Sequence, residues 1–155
     1  KMIEIGSYSG ESTLLFASSL AFDKIYCIDP FEGEEGMNEI NNKIWTDVQA
    51  DFWQNTKWFN GNGKELGETE VELISDYSYN VVDKFEDKSI DFIYIDGSHK
   101  IEDIRSDIDL YLPKLKDSSF IAGHDYNWPG VEGLIKSYGK EVFHFGDESW
   151  LMKIV

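Results

Sequence analysis

The amino-acid sequence predicts one α/β domain, built on a mostly parallel seven-stranded sheet that ends in an antiparallel hairpin. Short apolar runs rich in β-branched and aromatic residues alternate with segments whose apolar residues recur every three or four positions. This alternation is typical of buried parallel strands connected by amphipathic helices. The last two strand candidates are separated by only Gly146-Asp147-Glu148. So short a connection allows only an antiparallel pair.

The elements follow in order along the chain. The apolar runs predict strands at 2–5, 24–28, 70–74, 91–95, 118–122, 141–145 and 149–155. The helical spacing predicts helices at 14–20, 43–59, 80–85, 101–115 and 129–138. We expect all of residues 1–155 to form one domain, with 32–69 as an aromatic-rich insertion.

Composition limits the classes of partner. The chain carries 14 basic and 30 acidic residues, a net charge of −16. This charge repels phosphate backbones and anionic lipid, so neither nucleic acid nor a membrane surface is expected as a partner. No apolar run approaches the roughly 20 residues that span a bilayer. The single cysteine, Cys27, lies in an apolar run and is expected to be buried, which suits a cytoplasmic protein. Because Lys1 leads directly into a strand, we expect the natural protein to extend beyond it.

A glycine-bearing turn follows the first strand. Gly6 and Gly10 flank this turn, and Ser9 is the predicted N-cap of the next helix. A strand that leads through such a turn into a helix N-terminus presents free N–H groups to an anion. The alternative is a tight strand-to-helix turn without a ligand. Glu4 favours a partner of some kind, because an acid in an apolar strand is costly to bury alone.

An acid also closes the second strand. Asp29 lies about 20 residues after the glycine-bearing turn, where a carboxylate can accept hydrogen bonds from a ribose diol. Its alternative role is to cap the loop that begins at Pro30.

Four further polar side chains follow the ends of two consecutive strands. Asp96 and His99 come directly after one strand, and His124 and Asp125 come after the next. A strand–helix–strand unit brings both carboxyl ends to the same edge of the sheet, where open α/β sheets bind ligands. We therefore expect these four side chains to face one crevice.

The insertion is the least regular part of the chain. It contains Trp45, Phe52, Trp53, Trp58 and Phe59, and it ends in Asn60-Gly61-Asn62-Gly63. Aromatic residues at this density usually pack against the domain. A lid or substrate wall beside the ligand edge is the alternative, and the sequence does not separate the two.

Three segments of the sequence resemble one enzyme class. They are Ile5-Gly6-Ser7-Tyr8-Ser9-Gly10-Glu11-Ser12-Thr13, Tyr94-Ile95-Asp96-Gly97-Ser98-His99 and Ile121-Ala122-Gly123-His124-Asp125-Tyr126. With them, nearly the whole chain resembles the class I S-adenosylmethionine-dependent methyltransferases, and is most similar to the small-molecule O-methyltransferases of the macrolide-sugar and catechol type. This resemblance implies a Rossmann-like doubly wound sheet of strand order 3-2-1-4-5-7-6. The alternative is an NAD-binding Rossmann oxidoreductase, whose fingerprint requires glycine where Tyr8 stands.

The resemblance also implies roles for individual residues. The residues implied at the methionine end of S-adenosylmethionine are Glu4, Gly6, Ser7, Gly10 and Ser12. Asp29 would hold the ribose, Ser75 and Asp76 would lie near the adenine, and Asp96 would border the cofactor.

In the metal-dependent members of this class, two acids bind a divalent cation such as Mg²⁺, and here they correspond to Asp96 and Asp125. His99 occupies the position of the general base, so His99 and Asp96 are the predicted catalytic residues. Tyr126 is a departure, because the catechol-type enzymes have an asparagine ligand there, and a third protein ligand stays unassigned. His124 and His144 are interpreted as structural.

The sequence therefore predicts a Mg²⁺-assisted O-methyltransferase that acts on a small hydroxylated acceptor such as a sugar. The chemistry fits, because a cation between carboxylates lowers the pKa of an acceptor hydroxyl and a histidine can take its proton. A non-catalytic cofactor-binding domain is a further alternative. Assembly into a homo-oligomer is left open.

Overall fold

The computed structural model describes residues 1–32, 39–40, 43–57 and 69–154. The strands in this part of the chain are β1 (Met2–Ile5), β2 (Lys24–Ile28), β3 (Glu39–Ile40), β4 (Lys43–Ile44), β5 (Glu70–Ile74), β6 (Ile90–Ile95), β7 (Leu115–Gly123), β8 (Val142–His144) and β9 (Trp150–Lys153). The α-helices are α1 (Glu11–Ser18), α2 (Trp45–Thr56), α3 (Ser78–Val81), α4 (Ile101–Tyr111) and α5 (Val131–Ser137). Short 3₁₀ turns at Val82–Lys84 and Leu112–Lys114 follow α3 and α4.

Seven strands form the main sheet in the order β5-β2-β1-β6-β7-β9-β8. Counted within this sheet alone, the order is 3-2-1-4-5-7-6, so the predicted topology is confirmed. Strands β5, β2, β1, β6 and β7 pair in parallel, whereas β9 is antiparallel to both β7 and β8. The NAD-binding alternative needs a parallel strand in place of this hairpin, and the sheet does not provide one.

Apolar clusters cover both faces of the sheet, as a doubly wound fold requires. On one face, Ile3 and Ile5 of β1 belong to the cluster formed with α4 and α5. On the other face, Met2 and Cys27 belong to the cluster that includes Phe52 of α2. This second cluster buries Cys27 completely, as the sequence predicts, and burial raises the pKa of its thiol. The alternation of side chains along β1 also points Glu4 toward the α1 and α2 side.

The structure corrects several element boundaries. Helix α1 begins at Glu11 rather than at residue 14, and Gly10, with φ of +79°, occupies the capping position without a side-chain bond. The prediction of Ser9 as N-cap is therefore wrong; the backbone carbonyl of Ser9 instead accepts a hydrogen bond from Asn55 at 2.9 Å. Strand β7 begins at Leu115, earlier than predicted, and the β3–β4 hairpin inside the insertion was not predicted. In the described ranges, no helix is long and apolar enough to cross a membrane.

Candidate functional site

A cleft of about 850 Å³ opens at the carboxyl ends of β1, β2 and β6. This volume lies within the range of small-molecule sites, roughly 300–1,000 Å³. The residues that line it come from the turn after β1, the end of β2, the start of α2, the α3 region, the turn after β6, and α4. The cleft therefore lies at the edge where the sequence predicts a ligand site.

The turn after β1 requires glycine at position 6. Gly6 has φ of +85°, and a Cβ atom placed there would lie 2.2 Å from the carbonyl oxygen of Asp96. The backbone of β1 consequently passes directly against the chain that leaves β6. This close approach brings the glycine-bearing turn and Asp96 to the same wall of the cleft.

Glu4 lies behind this wall and not on its surface. Its side chain is fully buried and accepts hydrogen bonds from Ser12 at 2.6 Å and from Thr13, both on α1. Burial raises the pKa of Glu4, while these hydroxyl groups oppose the rise. The partner that the sequence demands for Glu4 is thus the first turn of α1, and Glu4 positions Ser12, which does line the cleft.

Ser7 and Gly10 occupy different surroundings in the same turn. The Ser7 hydroxyl is buried at the cleft wall and makes no hydrogen bond of good geometry in the described part of the chain. It nevertheless faces Glu4 closely enough to oppose the rise in the pKa of that carboxyl, so it belongs to the polar surroundings of Glu4. Gly10 lies under α2, because a Cβ there would meet Phe52 at 2.9 Å and Thr56 at 3.0 Å. Its small size serves packing between α1 and α2.

Asp29 lines the cleft while it holds two loops in place. Its Oδ2 accepts a hydrogen bond from the backbone N–H of Tyr8 at 2.8 Å, and its Oδ1 accepts one from Phe31 at 2.7 Å. Burial raises the pKa of Asp29, and these backbone donors counter the rise. The capping alternative for Asp29 is therefore present in the structure. Each carboxylate oxygen keeps a second lone pair that a ribose hydroxyl could use.

At the far end of the cleft, the lining is formed by residues that follow Ser75 and Asp76 in the chain, and not by these two predicted residues. Ser75 and Asp76 are absent from the lining; Asp76 instead accepts hydrogen bonds from the backbone of Tyr77 and from Asn80, both at 2.8 Å. The lining contains Tyr77, Ser78, Tyr79, Ser106 and Asp107.

Asp107 is a site residue that sequence reasoning missed. It is 7% exposed, accepts a hydrogen bond of 2.5 Å from the Ser78 hydroxyl, and borders the cleft. Burial raises its pKa to about 6. A signal was available in the sequence, since Asp107 interrupts the apolar stripe of α4 between Ile104 and Ile108. An acid at such a position is costly without a partner or a function.

Three potential metal ligands meet beside the cleft. One ligand atom each from Asp96, His124 and Asp125 lies within 4.8 Å of the other two. Although the Asp96 side chain is exposed, desolvation by the protein around it raises the pKa of Asp96; His124 opposes this rise, and the nearby Asp125 and Glu4 add to it. Two carboxylates and an imidazole in this arrangement fit a divalent cation.

His124 is held from two sides. Its Nε2 lies 2.8 Å from the carbonyl oxygen of Asp147, and its Nδ1 lies 3.0 Å from Oδ1 of Asp125. Burial disfavours the charged imidazole, but Asp96 and the contact with Asp125 outweigh it and raise the pKa of His124.

His99 lies next to this cluster, as predicted. Its Nε2 is 3.4 Å from Oδ2 of Asp125, and its ring contacts Trp128 at a centroid distance of 5.2 Å. Tyr126, by contrast, is buried and stacks on His144 at 4.9 Å. The structure thus brings Asp96, His99, His124 and Asp125 together, and Tyr126 packs with His144.

The described part of the insertion packs against the domain and also reaches the cleft. Trp45 at the start of α2 lines the cleft, whereas Phe52 is fully buried in the core. Trp53 is 43% exposed. Trp58, Phe59 and the loop at 60–63 lie outside the described residues.

Comparisons with known proteins agree with this geometry. Residues 3–126 match the sequence profile of a family described as a methyltransferase domain. The protein y4gI of Sinorhizobium fredii is 25% identical over 129 residues, which cover 81% of this chain; the match spans 13% of that protein's length.

Two solved structures share the fold. A protein from Corynebacterium glutamicum matches with a TM-score of 0.69 and 16% identity, over 99% of this chain and 72% of that one. The O-methyltransferase NovP also matches with a TM-score of 0.69, at 14% identity, over 100% of this chain and 72% of its own.

Proposed function

Because the chain belongs to the methyltransferase domain family and has the class I S-adenosylmethionine-dependent fold, we propose that it methylates a hydroxyl oxygen of a small acceptor with metal assistance. The observation that carries this proposal is that Asp96 and His99 line the cleft while Asp125 lies directly beside both. A base and two metal-binding acids beside a cofactor cleft match the requirements of methyl transfer to oxygen, because the acceptor hydroxyl must lose its proton.

The cleft supports the cofactor part of the proposal. Gly6 lets the glycine-bearing turn lie against the chain that leaves β6, Ser7 and Ser12 line the cleft, and Asp29 retains acceptor capacity for the ribose. We place the adenine beside Tyr77 and Tyr79, which stack on each other at 5.3 Å and line the cleft. Glu4 and Gly10 then act indirectly, through the position of α1.

The cluster supports the acceptor part. A divalent cation, when bound by Asp96 and Asp125, would lower the pKa of the acceptor hydroxyl and orient it. His99 would receive the hydroxyl proton on its imidazole ring, and Asp125, whose Oδ2 lies 3.4 Å from Nε2, would stabilise the resulting positive charge. Trp128 is 49% exposed and contacts His99, so it offers a flat apolar wall for a sugar or a similar ring.

We further propose that residues 1–155 form one catalytic domain acting in the cytoplasm, and that Trp45 of the insertion at 32–69 contacts the bound ligands. The position of Trp45 on the cleft wall supports this role for the insertion.

A methyl-transfer assay tests the proposal. Protein is incubated with S-adenosylmethionine labelled in the methyl group and with panels of sugars and catechols, with and without EDTA. We expect the labelled methyl group to be found on an oxygen of the acceptor, and we expect EDTA to abolish this transfer. Full transfer in EDTA would refute the metal's role while leaving the enzyme assignment intact. A folded protein that binds the cofactor and turns over no acceptor, also in its full-length form, would favour the non-catalytic alternative.

A further inference from the structure

His124 is the member of the cluster to which the proposed function assigns no task. We propose that His124 binds the metal through Nδ1 and that the Asp96–His124–Asp125 cluster consequently prefers a first-row transition-metal ion, such as Mn²⁺, over Mg²⁺. This inference rests on the metal-assisted transfer proposed above. It replaces the sequence-based interpretation of His124 as a structural residue.

The contact of Nε2 determines what Nδ1 can do. The carbonyl oxygen of Asp147, 2.8 Å from Nε2, can only accept a hydrogen bond, so Nε2 carries a proton. In the neutral imidazole, Nδ1 then presents its lone pair toward Oδ1 of Asp125, 3.0 Å away. Two lone pairs at this distance repel each other unless a cation lies between them. That cation is either a proton on Nδ1 or a metal ion shared with Asp125.

The surroundings of His124 match those of metal-binding histidines. Such residues nearly always donate their second ring N–H to a carboxylate or a backbone carbonyl, which fixes the tautomer and the ring orientation. Here the turn between β8 and β9 provides that carbonyl.

The backbone of His124 is fixed as firmly as its ring. Its N–H donates to the carbonyl of Ile95 at 3.1 Å, and its own carbonyl accepts a hydrogen bond from the indole of Trp150 at 3.0 Å. Strand β6, which leads to Asp96, and strand β9 therefore both position the imidazole. The terminal hairpin thus acts as a support for the metal cluster.

The donor types decide which ion is preferred. Mg²⁺ takes oxygen ligands in an octahedral shell and holds its waters tightly. An imidazole nitrogen adds affinity for Mn²⁺ and the later first-row ions, in increasing order toward Cu²⁺. Two carboxylates with one imidazole leave coordination positions for an acceptor oxygen and water. A site of this composition selects the transition ion.

The first experiment uses the wild-type protein, freed of metal with EDTA and dialysed. MnCl₂ and MgCl₂ are titrated separately by calorimetry, and the Mn²⁺-loaded protein is examined by electron spin echo envelope modulation. We expect one Mn²⁺ site, and we expect it to bind Mn²⁺ more tightly than Mg²⁺. We also expect modulation from a directly bound ¹⁴N nucleus. Bound Mn²⁺ without ¹⁴N modulation would overturn the proposal, and so would the absence of a Mn²⁺ site.

Two variants identify the source of the nitrogen. His124→Asp exchanges the imidazole for a carboxylate, so ¹⁴N modulation should disappear and the preference for Mn²⁺ over Mg²⁺ should fall. His99→Ala is the matched control, because His99 is the other histidine beside Asp125; the modulation should persist in this variant. Modulation that persists in His124→Asp and disappears in His99→Ala would contradict the role of His124. Modulation that persists in both variants would also contradict it.

Binding of S-adenosylhomocysteine is measured on the same samples. If it binds while no ¹⁴N-coordinated Mn²⁺ is found, this inference fails and the methyltransferase proposal stands. In that case Nδ1 of His124 carries a proton, and the charged imidazole forms an ion pair with Asp125. If S-adenosylhomocysteine does not bind to folded protein, the proposed function fails independently of the metal.

Discussion

At the scale of single residues, Asp29 holds two loops in place and, in the proposed function, also binds the ribose. Asp29→Ala should weaken binding of S-adenosylhomocysteine by about 1.5–3 kcal/mol, the range for a hydrogen bond to a charged group. It should also lower the free energy of unfolding by about 1–3 kcal/mol, because the N–H groups of Tyr8 and Phe31 lose their acceptor. Calorimetry and urea denaturation measure the two effects.

Asp29→Asn is the control, since an asparagine keeps the size of the side chain and one acceptor oxygen. Its stability loss should be smaller, while its affinity should still fall. If both variants bind the cofactor product as the wild type does, Asp29 serves only to hold the loops.

His99 is the residue to which the proposed mechanism assigns proton transfer. His99→Ala should slow methyl transfer by roughly 10²–10⁴-fold, the usual contribution of a positioned base. Affinity for S-adenosylhomocysteine should stay unchanged, because the residue serves the acceptor. Single-turnover rates with labelled cofactor measure the first quantity and calorimetry the second. An unchanged transfer rate would assign the proton to another acceptor.

Sequence reasoning located Asp96, His99 and Asp125 because strand ends place them, and that placement is local. It could not show that the carbonyl of Asp147, 23 residues further along the chain, contacts the His124 ring. Nor could it show that the carboxylate of Asp76, predicted to lie near the adenine, accepts a hydrogen bond from Asn80. Contacts of this kind depend on tertiary structure, and no spacing rule reveals them.

At the scale of secondary-structure elements, the close approach of the turns that follow the parallel strands β1 and β6 depends on Gly6. Gly6→Ala should reduce the free energy of unfolding by about 3 kcal/mol or more, because steric overlap with the Asp96 backbone adds to the strain of a positive φ. Gly133→Ala is the matched control: Gly133 lies within α5, and a Cβ added there would meet no atom of the described residues within 4 Å.

The control variant should be more stable than the wild type by about 0.5–1 kcal/mol, as expected when alanine replaces glycine in a helix. Urea denaturation of both variants measures the difference. Equal stability of Gly6→Ala and the wild type would contradict the close approach of the two strands.

Asp107 connects α4 to α3 through Ser78, and burial makes its ionisation unfavourable. Because the folded-state pKa of about 6 exceeds the ordinary value of 3.8, this group favours the folded state below pH 4. That contribution is lost as the pH rises from about 4 to 6. Asp107→Asn should therefore be more stable than the wild type at pH 7.5, by about 1–3 kcal/mol. At pH 4 the difference should largely disappear.

Urea denaturation at the two pH values measures this effect. An asparagine variant that is less stable at pH 7.5 than at pH 4, relative to the wild type, would mean that the charged carboxylate stabilises the fold.

The helix α4 itself was predicted from its apolar stripe, and it ends four residues early because the chain turns into a 3₁₀ segment at Leu112–Lys114.

At the scale of the whole molecule, the alternation of strands and helices and the short link before the last strand predicted a mostly parallel sheet that ends in an antiparallel hairpin. The strand order came from the resemblance to the methyltransferases. Both signals are local in the sequence and strong, since buried parallel strands are apolar throughout. The small β3–β4 hairpin carries no comparable pattern, because each of its strands has two residues.

The central claim is that the cleft at the carboxyl ends of β1, β2 and β6 binds the methyl-donor cofactor. Isothermal titration of the folded protein with S-adenosylhomocysteine, with NAD titrated in parallel, tests it most directly. We predict one site of micromolar affinity, about −8 kcal/mol, and no binding of NAD. Absence of S-adenosylhomocysteine binding in protein that circular dichroism shows to be folded, or binding of NAD in its place, would contradict the account.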